Sequence, residues 1–378
     1  MVMLKPCSFL ASALLCLGLA GADAPDALRL KVLVVGAKGA VEDIAAPEWK
    51  LEVAGKSVKV ASQRPPAEMG KAVQKWVFVL LPIRAPEYRS VALKAIATFM
   101  TGLPASDSVL VVLRTEKGLE CLTPGFTTRP SLWAKALDTA LETLPAKLKG
   151  RPEPTFSLPA TPGAEPEESM APVQAFLTKL AAKKLEKRAD DGNDGRQSLT
   201  ETYSPQDLVG HTITTARTLA SLERLAEAVA KETGEKHLVL FSRNEMDDLA
   251  NPVWSRAAQT ADSRDTMNGK LQIELMMRDV ILAQVALKQN LAQLGLDLHC
   301  VAAPAASYGG AFSDMALATG GNTYSFDADL PARMSQWLSL WALRYELNVT
   351  LPAGTGRPAK VSLDNPRKGT RMFAPSQR

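Results

Sequence analysis

Trp76-Val77-Phe78-Val79-Leu80-Leu81 is six consecutive apolar residues, aromatic or β-branched at the first four. A run this short and continuous fits a strand buried on both faces, as where helices cover a parallel sheet. The period then changes. Between Glu87 and Leu103, residues Tyr88, Val91, Ala92, Ala95, Ile96, Phe99 and Met100 recur at helical spacing and mark one face of a helix. Ser108–Leu113 reads as a second buried strand that turns through Glu116-Lys117-Gly118 into Leu119–Leu122 as a hairpin. Ser131–Leu144 follows as an amphipathic helix with Leu132, Trp133, Ala136, Leu137, Ala140 and Leu141 inward.

The same alternation resumes further on. Thr215–Lys231 is a helix with Leu219, Leu222, Leu225, Ala226 and Val229 inward, and Lys236–Phe241 is a strand. A long helix over Met267–Leu294 presents Ile273, Met276, Met277, Val280, Ile281 and Leu287 to the core and stops at Gly295. Leu296–Val301 is the next strand, Phe312–Ala318 a short helix, and Thr319-Gly320-Gly321-Asn322 turns into Thr323–Phe326. Strand and helix in alternation predict an α/β fold with a doubly wound, mostly parallel sheet.

Both ends are β-rich and read as extensions packed on that core. Leu28–Gly36, Trp49–Val53 and Ser57–Val60 are strand-like at one end; a helix, Leu330–Trp341, and a hairpin of Arg344–Thr350 with Ala359–Leu363 close the other. Gly36-Ala37-Lys38-Gly39 lacks the spacing and the following helix of a dinucleotide loop and reads as a turn. Residues 147–206 break the rhythm with Pro152, Pro154, Pro159, Pro162 and Pro166, a basic helix over Val173–Arg188, and Asp190-Asp191-Gly192-Asn193-Asp194-Gly195, which predicts a mobile surface insertion. The expected organisation is residues 1–22 as a signal peptide, 23–70 as a β-segment, 71–330 as the α/β domain with the insertion at 147–206, and 331–378 as a helix and hairpin.

Lys5, the apolar stretch to Leu19 and the small run Ala20-Gly21-Ala22 have the layout of a cleaved secretory signal, too short for a comfortable membrane span. A periplasmic or secreted protein with no stable membrane span after cleavage is therefore expected. Its loss removes Lys5 and takes the net charge from +4 to +3, which gives no electrostatic reason to expect nucleic acid. Cys121 and Cys300 would remain. An oxidising compartment invites a disulfide, but both sit in apolar strand-like runs, and the reading favoured is two separate buried thiols. No zinc-type cluster, GxSxG elbow or P-loop is present, and His237 and His299 read as strand residues with satisfied ring nitrogens. No enzyme, catalytic residue or cofactor is expected.

In this order the pieces resemble the von Willebrand factor A domain, and more narrowly the VWFA-related secreted proteins common in acidobacteria. Leu28–Val60 resembles that family's leading β-segment, with Trp49 before an "xGK" turn; Trp76–Leu103 and Asp107–Leu113 resemble its first strand, first helix and second strand. Thr218–Leu222 through Gly234–Ser242 is similar to its "TLxAL…GRKxLVLFS" segment, Ala316–Gly321 to "LAxxTGG", and Tyr345–Val349 to "YxLxY". The resemblance implies a metal-binding DxSxS loop after the first strand and an "SDG"-like turn after the fourth, because a hard cation needs carboxylate and hydroxyl oxygens. This chain has Leu81-Pro82-Ile83-Arg84-Ala85-Pro86 and Ser242-Arg243-Asn244-Glu245 there, so no metal is expected.

In doubly wound folds ligands meet the carboxyl ends of the strands. That edge would hold Arg84, Glu87, Ser242, Arg243, Asn244, Glu245 and Asp247, with Thr212 or Thr214 nearby. Two guanidinium groups among acids can grip a carboxylate or an acidic loop, whereas the plainer reading is solvated residues in surface ion pairs. The function expected is a non-enzymatic protein-binding or scaffold module with a degenerate metal motif; the alternative is a periplasmic small-molecule or glycan-binding protein using the same cleft.

Overall fold

The structure, a computed structural model, describes residues 27–36, 39–53, 56–81, 86–115, 118–143, 156, 158–159, 168–182, 205–242, 278, 280–291, 293–302, 311–350, 359–363 and 370–373. Its largest sheet is built from β6 (Gln74–Leu80), β7 (Ser108–Thr115), β8 (Gly118–Cys121), β9 (Glu235–Ser242), β10 (Asp297–Ala302) and β11 (Thr323–Ser325), in the order β11-β10-β9-β6-β7-β8. Every pairing is parallel except the β7–β8 hairpin at the edge. This is the mostly parallel α/β sheet that the alternating sequence predicts.

Helices cover both faces of the sheet. Trp76, Phe78, Val109, Val111, Val239 and Phe241 pack under α2 (Pro86–Met100), α3 (Pro130–Glu142), α4 (Ala171–Ala182) and α8 (Leu330–Trp341). Their sequence neighbours Val77, Val79, Leu110, Val112, Leu238 and Leu240 point the other way, toward α5 (Pro205–Ala230), α6 (280–291) and α7 (Ala311–Thr319). The two-residue alternation of a strand thus divides an unbroken apolar run between two cores. Prolines open several helices: Pro86 begins α2, Pro130 begins α3 and Pro205 begins α5. At that position the missing N–H costs nothing and the fixed φ suits a helix. The Pro205 start explains why α5 begins ten residues before the expected Thr215.

Two expectations change here. Within the expected surface insertion 147–206, α4 buries Val173, Phe176 and Leu180 in the core beside α2 and α3, and Lys179 pairs with Asp138 and Glu142 of α3. Three apolar residues at i, i+3 and i+7 outweigh the basic composition that drew attention to this stretch; Lys183 to Arg188 lie outside the described residues. On α6 the inward face is Val280, Leu287 and Leu291, whereas Ile281 is 54% exposed. Ile281 sits one residue round from Val280, about 100° away, and cannot share its face.

The two β-rich ends form one unit. β1 (Ala27–Gly36) lies between β12 (Tyr345–Thr350) and β14 (Arg371–Phe373), all antiparallel, with β2 (Gly39–Ala40) folding back on β1 and β5 (Val60–Arg64) beyond β12. A second sheet pairs β3 (Trp49–Val53) with β4 (Lys56–Val58) and β13 (Ala359–Leu363). Leu30, Val32, Trp49, Leu51, Tyr345, Leu347 and Val349 fill the space between, with Trp49 edge-on to Tyr345 at 5.2 Å. The helix expected to belong to the C-terminal extension, α8, instead packs on α2 with Met334 and Leu338 in the α/β core. The chain crosses between units at residues 342–344 and, on the N-terminal side, through α1 (Pro66–Met69).

Strand register also settles the cysteines. Cys121 pairs with Val112, Val112 with Val79, Val79 with Leu240, and Leu240 with Cys300, so the two thiols share one row across the sheet, four strand spacings apart. That is about 19 Å at the usual strand separation, against about 4.4–6.8 Å between the Cα atoms of a disulfide. Neither is in a disulfide, and burial pushes the Cys121 thiol up to about 12. Alkylation in denaturant without reductant, followed by peptide mapping, is expected to label both Cys121 and Cys300. A Cys121–Cys300 cross-linked peptide would contradict this register.

Candidate functional site

Along the sheet, strand order reverses direction of growth between β6 and β9: β7 and β8 lie on one side, β10 and β11 on the other. Their carboxyl ends meet there, with Leu80 beside Phe241 and the Leu81 N–H donating to the Phe241 carbonyl at 3.0 Å. Such a reversal opens a crevice at the strand ends. Ser242 ends β9 at this point, beside Ala302, and is buried. Glu87 lies in the first turn of α2; its side chain is not among those described. Arg84, Arg243, Asn244, Glu245 and Asp247 lie outside the described residues. Of the candidates at this edge, Ser242 is therefore the one whose side chain is described.

The opposite edge of the sheet carries a second constellation, which the sequence reading missed. Glu235 opens β9 and Asp297 opens β10; facing them from the β-sandwich are Lys31 of β1, Arg64 of β5, and Arg344 and Glu346 at the start of β12. Arg344 Nη2 lies 2.7 Å from Asp297 Oδ2 and 3.1 Å from Glu235 Oε2. Lys31 Nζ lies 3.2 Å from Asp297 Oδ2 and 3.3 Å from Glu235 Oε2, and donates to the Gly295 carbonyl at 3.1 Å. Arg64 bridges Glu235 and Glu346 at 3.4 and 3.5 Å. Arg344 is fully buried, and Lys31, Asp297 and Glu346 nearly so. Three cations and one carboxylate on the sandwich thus face two carboxylates on the sheet, plus two against minus two. Burial alone would raise the Glu235 carboxyl; the charges of Lys31, Arg344 and Arg64 outweigh it and hold Glu235 below the usual carboxylate range.

Two buried histidines adjoin this cluster. The Gln74 amide nitrogen donates to the Met69 and Ala72 carbonyls at 3.1 and 2.8 Å, which leaves Gln74 Oε1 to accept from His237 Nε2 at 2.8 Å. The proton of neutral His237 therefore sits on Nε2, and Nδ1 faces Asp297 Oδ2 at 3.4 Å. The ring stacks on Trp76, centroids 4.0 Å apart. His299 Nδ1 accepts from the Asn322 N–H at 3.3 Å, while Nε2 has no hydrogen-bond partner among the described residues and the ring meets Trp341 edge-on. The expectation of satisfied ring nitrogens holds for one nitrogen of each ring. Burial first, then Arg344, His299 and Lys31, hold the His237 imidazole well below its ordinary value; burial, Arg344 and Lys31 take His299 down to about 3.

The centre of this cluster is closed to solvent, with the Arg64 side chain 38% exposed at its margin, and its chemistry is charge pairing between two units. A faint sequence signal existed for part of it: Glu235 and Asp297 open their strands and Arg344 precedes its own, each ahead of an apolar run, as in Glu235-Lys236-His237-Leu238 and Arg344-Tyr345-Glu346-Leu347.

No family model matches the chain, and no curated protein sequence matches it. Among solved structures, a von Willebrand factor type A from Catenulispora acidiphila aligns over 93% of this chain and 72% of that chain, at 10% identity and a TM-score of 0.37.

Proposed function

We propose that this chain is an exported, non-enzymatic protein-binding module of the von Willebrand factor A type whose strand-end crevice works without a cation. The observation that carries the reading is the meeting of β6 and β9 at the reversal of strand order, joined to what the sequence supplies next: Leu81-Pro82-Ile83-Arg84 after one strand and Ser242-Arg243-Asn244-Glu245 after the other. A divalent cation needs several oxygen ligands, whereas two arginines that follow these strand ends in the sequence favour a carboxylate-bearing surface, which guanidinium grips with paired hydrogen bonds. Export is supported by the N-terminal pattern, Lys5 then an apolar run then Ala20-Gly21-Ala22.

The test is affinity capture from envelope extracts in EDTA with the wild-type chain and with the double variant Arg84→Glu/Arg243→Glu as paired baits, followed by binding measurements on any captured protein. The reading expects a partner that binds in EDTA and whose affinity falls at least tenfold in the variant. A partner that binds only with added cation, or equally well to both baits, would refute it.

A further inference from the structure

The apolar cores of the two units do not merge: the sandwich cluster of Leu30, Val32, Leu51 and Tyr345 shares no residue with either cluster of the α/β unit. The ion pairs that cross between the units converge on Glu235 and Asp297, reached by Lys31, Arg64 and Arg344. Fully buried Leu33, on the same face of β1 as Lys31, adds apolar contact beside these ion pairs, and units that each keep their own core can move relative to one another. We propose that this contact is a proton-operated joint, closed while His237 and His299 are neutral and opened when they take up protons.

The geometry explains why protons act here. Asp297 Oδ2 already receives Arg344 at 2.7 Å and Lys31 at 3.2 Å, so a proton on the nearby His237 Nδ1 adds a positive charge where the carboxylate is committed. His299, whose Nε2 has no partner among the described residues, has Arg344 and Lys31 as its charged neighbours and His237 at 5.9 Å. Across the joint the other charged groups are Glu235, Arg64 and Glu346, which together with Lys31, Arg344 and Asp297 sum to zero only while both imidazoles are neutral. Gly295 accepts from Lys31, and residues 342–344, which carry Arg344, are where the chain passes between the units.

The direction follows from linkage. In the closed form both rings are held below the ordinary value of 6.5, His299 at about 3. An opened joint lets water restore them toward 6.5, so the open form binds protons first as pH falls. The closed form is favoured above about pH 6.5 and loses ground from there toward about pH 3, the open-to-closed ratio rising about tenfold per histidine per pH unit.

Hydrogen exchange followed by mass spectrometry at pH 7, 6, 5 and 4, corrected for the intrinsic pH dependence of exchange, tests this on the full chain. Expected are gains in opening at 65–73, 294–297 and 341–344 below pH 6, while β6, β7 and α2 stay protected. His299→Gln is expected to cut the steepness by about tenfold per pH unit. Loss of protection in step at these segments and in β6 and β7 would overturn the proposal from the wild-type data alone. An unchanged steepness in a His299→Gln chain that keeps β6 protected at pH 7 would overturn it too.

Discussion

Arg344→Ala is expected to lower the free energy of unfolding by about 3–5 kcal/mol, the cost of leaving buried charge without its partner. The guanidinium is fully buried, spans Glu235 and Asp297, and donates to the Trp341 carbonyl at 2.9 Å, so its loss leaves two carboxylates with Lys31 as their chief counter-charge. Asp297 is the more exposed to this loss: its Oδ1 has no partner among the described residues and its Oδ2 has Arg344 as nearest cation. Denaturant unfolding at pH 7 measures the effect. Arg333→Ala is the companion, because Arg333 pairs with Asp327 where both side chains are nearly half exposed, and a loss below about 1 kcal/mol is expected. Similar losses in the two variants would mean that the buried cluster contributes no more than a surface pair.

Gly321→Ala is the second large effect. A Cβ on Gly321 would lie 1.7 Å from the Leu298 carbonyl oxygen, a backbone atom of β10 that no side-chain rotation can move aside. The approach is close because the turn after α7 is tied down on both sides. Gly321 N–H donates to the Ala316 carbonyl at 2.8 Å, Cys300 N–H donates to the Asn322 carbonyl at 2.9 Å, and Thr319 Oγ1 accepts from Leu298 N–H at 3.0 Å. A methyl group must therefore push β10 and β11 apart, and the loss is expected at or above the upper end of the roughly 1–3 kcal/mol typical of overpacking. Thermal unfolding of G321A checks this; a change under about 1 kcal/mol would mean that the turn relaxes freely, against the overpacking range.

The parallel sheet was legible because Trp76–Leu81, Ser108–Leu113 and Lys236–Phe241 are unbroken apolar runs separated by helical periodicity, and burial on both faces leaves that mark. The sandwich was legible only in part. Each strand at the chain ends announces itself, but the pairing of β1 with β12 joins Leu30 to Leu347 across more than three hundred residues, and period-two patterning carries no information about a partner. The convergence of the charge cluster was invisible for a related reason: Lys31 sits within β1, Glu235 and Asp297 open β9 and β10, and Arg344 precedes β12, and none of these four segments names the others. Ile281 misled because α6 is apolar on two sides, so periodicity assigned both to the core. At the strand-end crevice the sequence placed its candidates in the loops after β6 and β9, and the fold brings the ends of those strands together.

The most direct test of cation-free partner binding is a titration of the EDTA-treated chain with Mg²⁺, Ca²⁺ and Mn²⁺, followed by thermal unfolding. A cation bound by the native state at about 100 times its dissociation constant would add roughly 2.7 kcal/mol. The account predicts the same unfolding curve with and without each cation, as the side chains of Leu81-Pro82-Ile83-Arg84 and Ser242-Arg243-Asn244-Glu245 imply. A saturable rise with any of the three would contradict it and place oxygen ligands at the crevice.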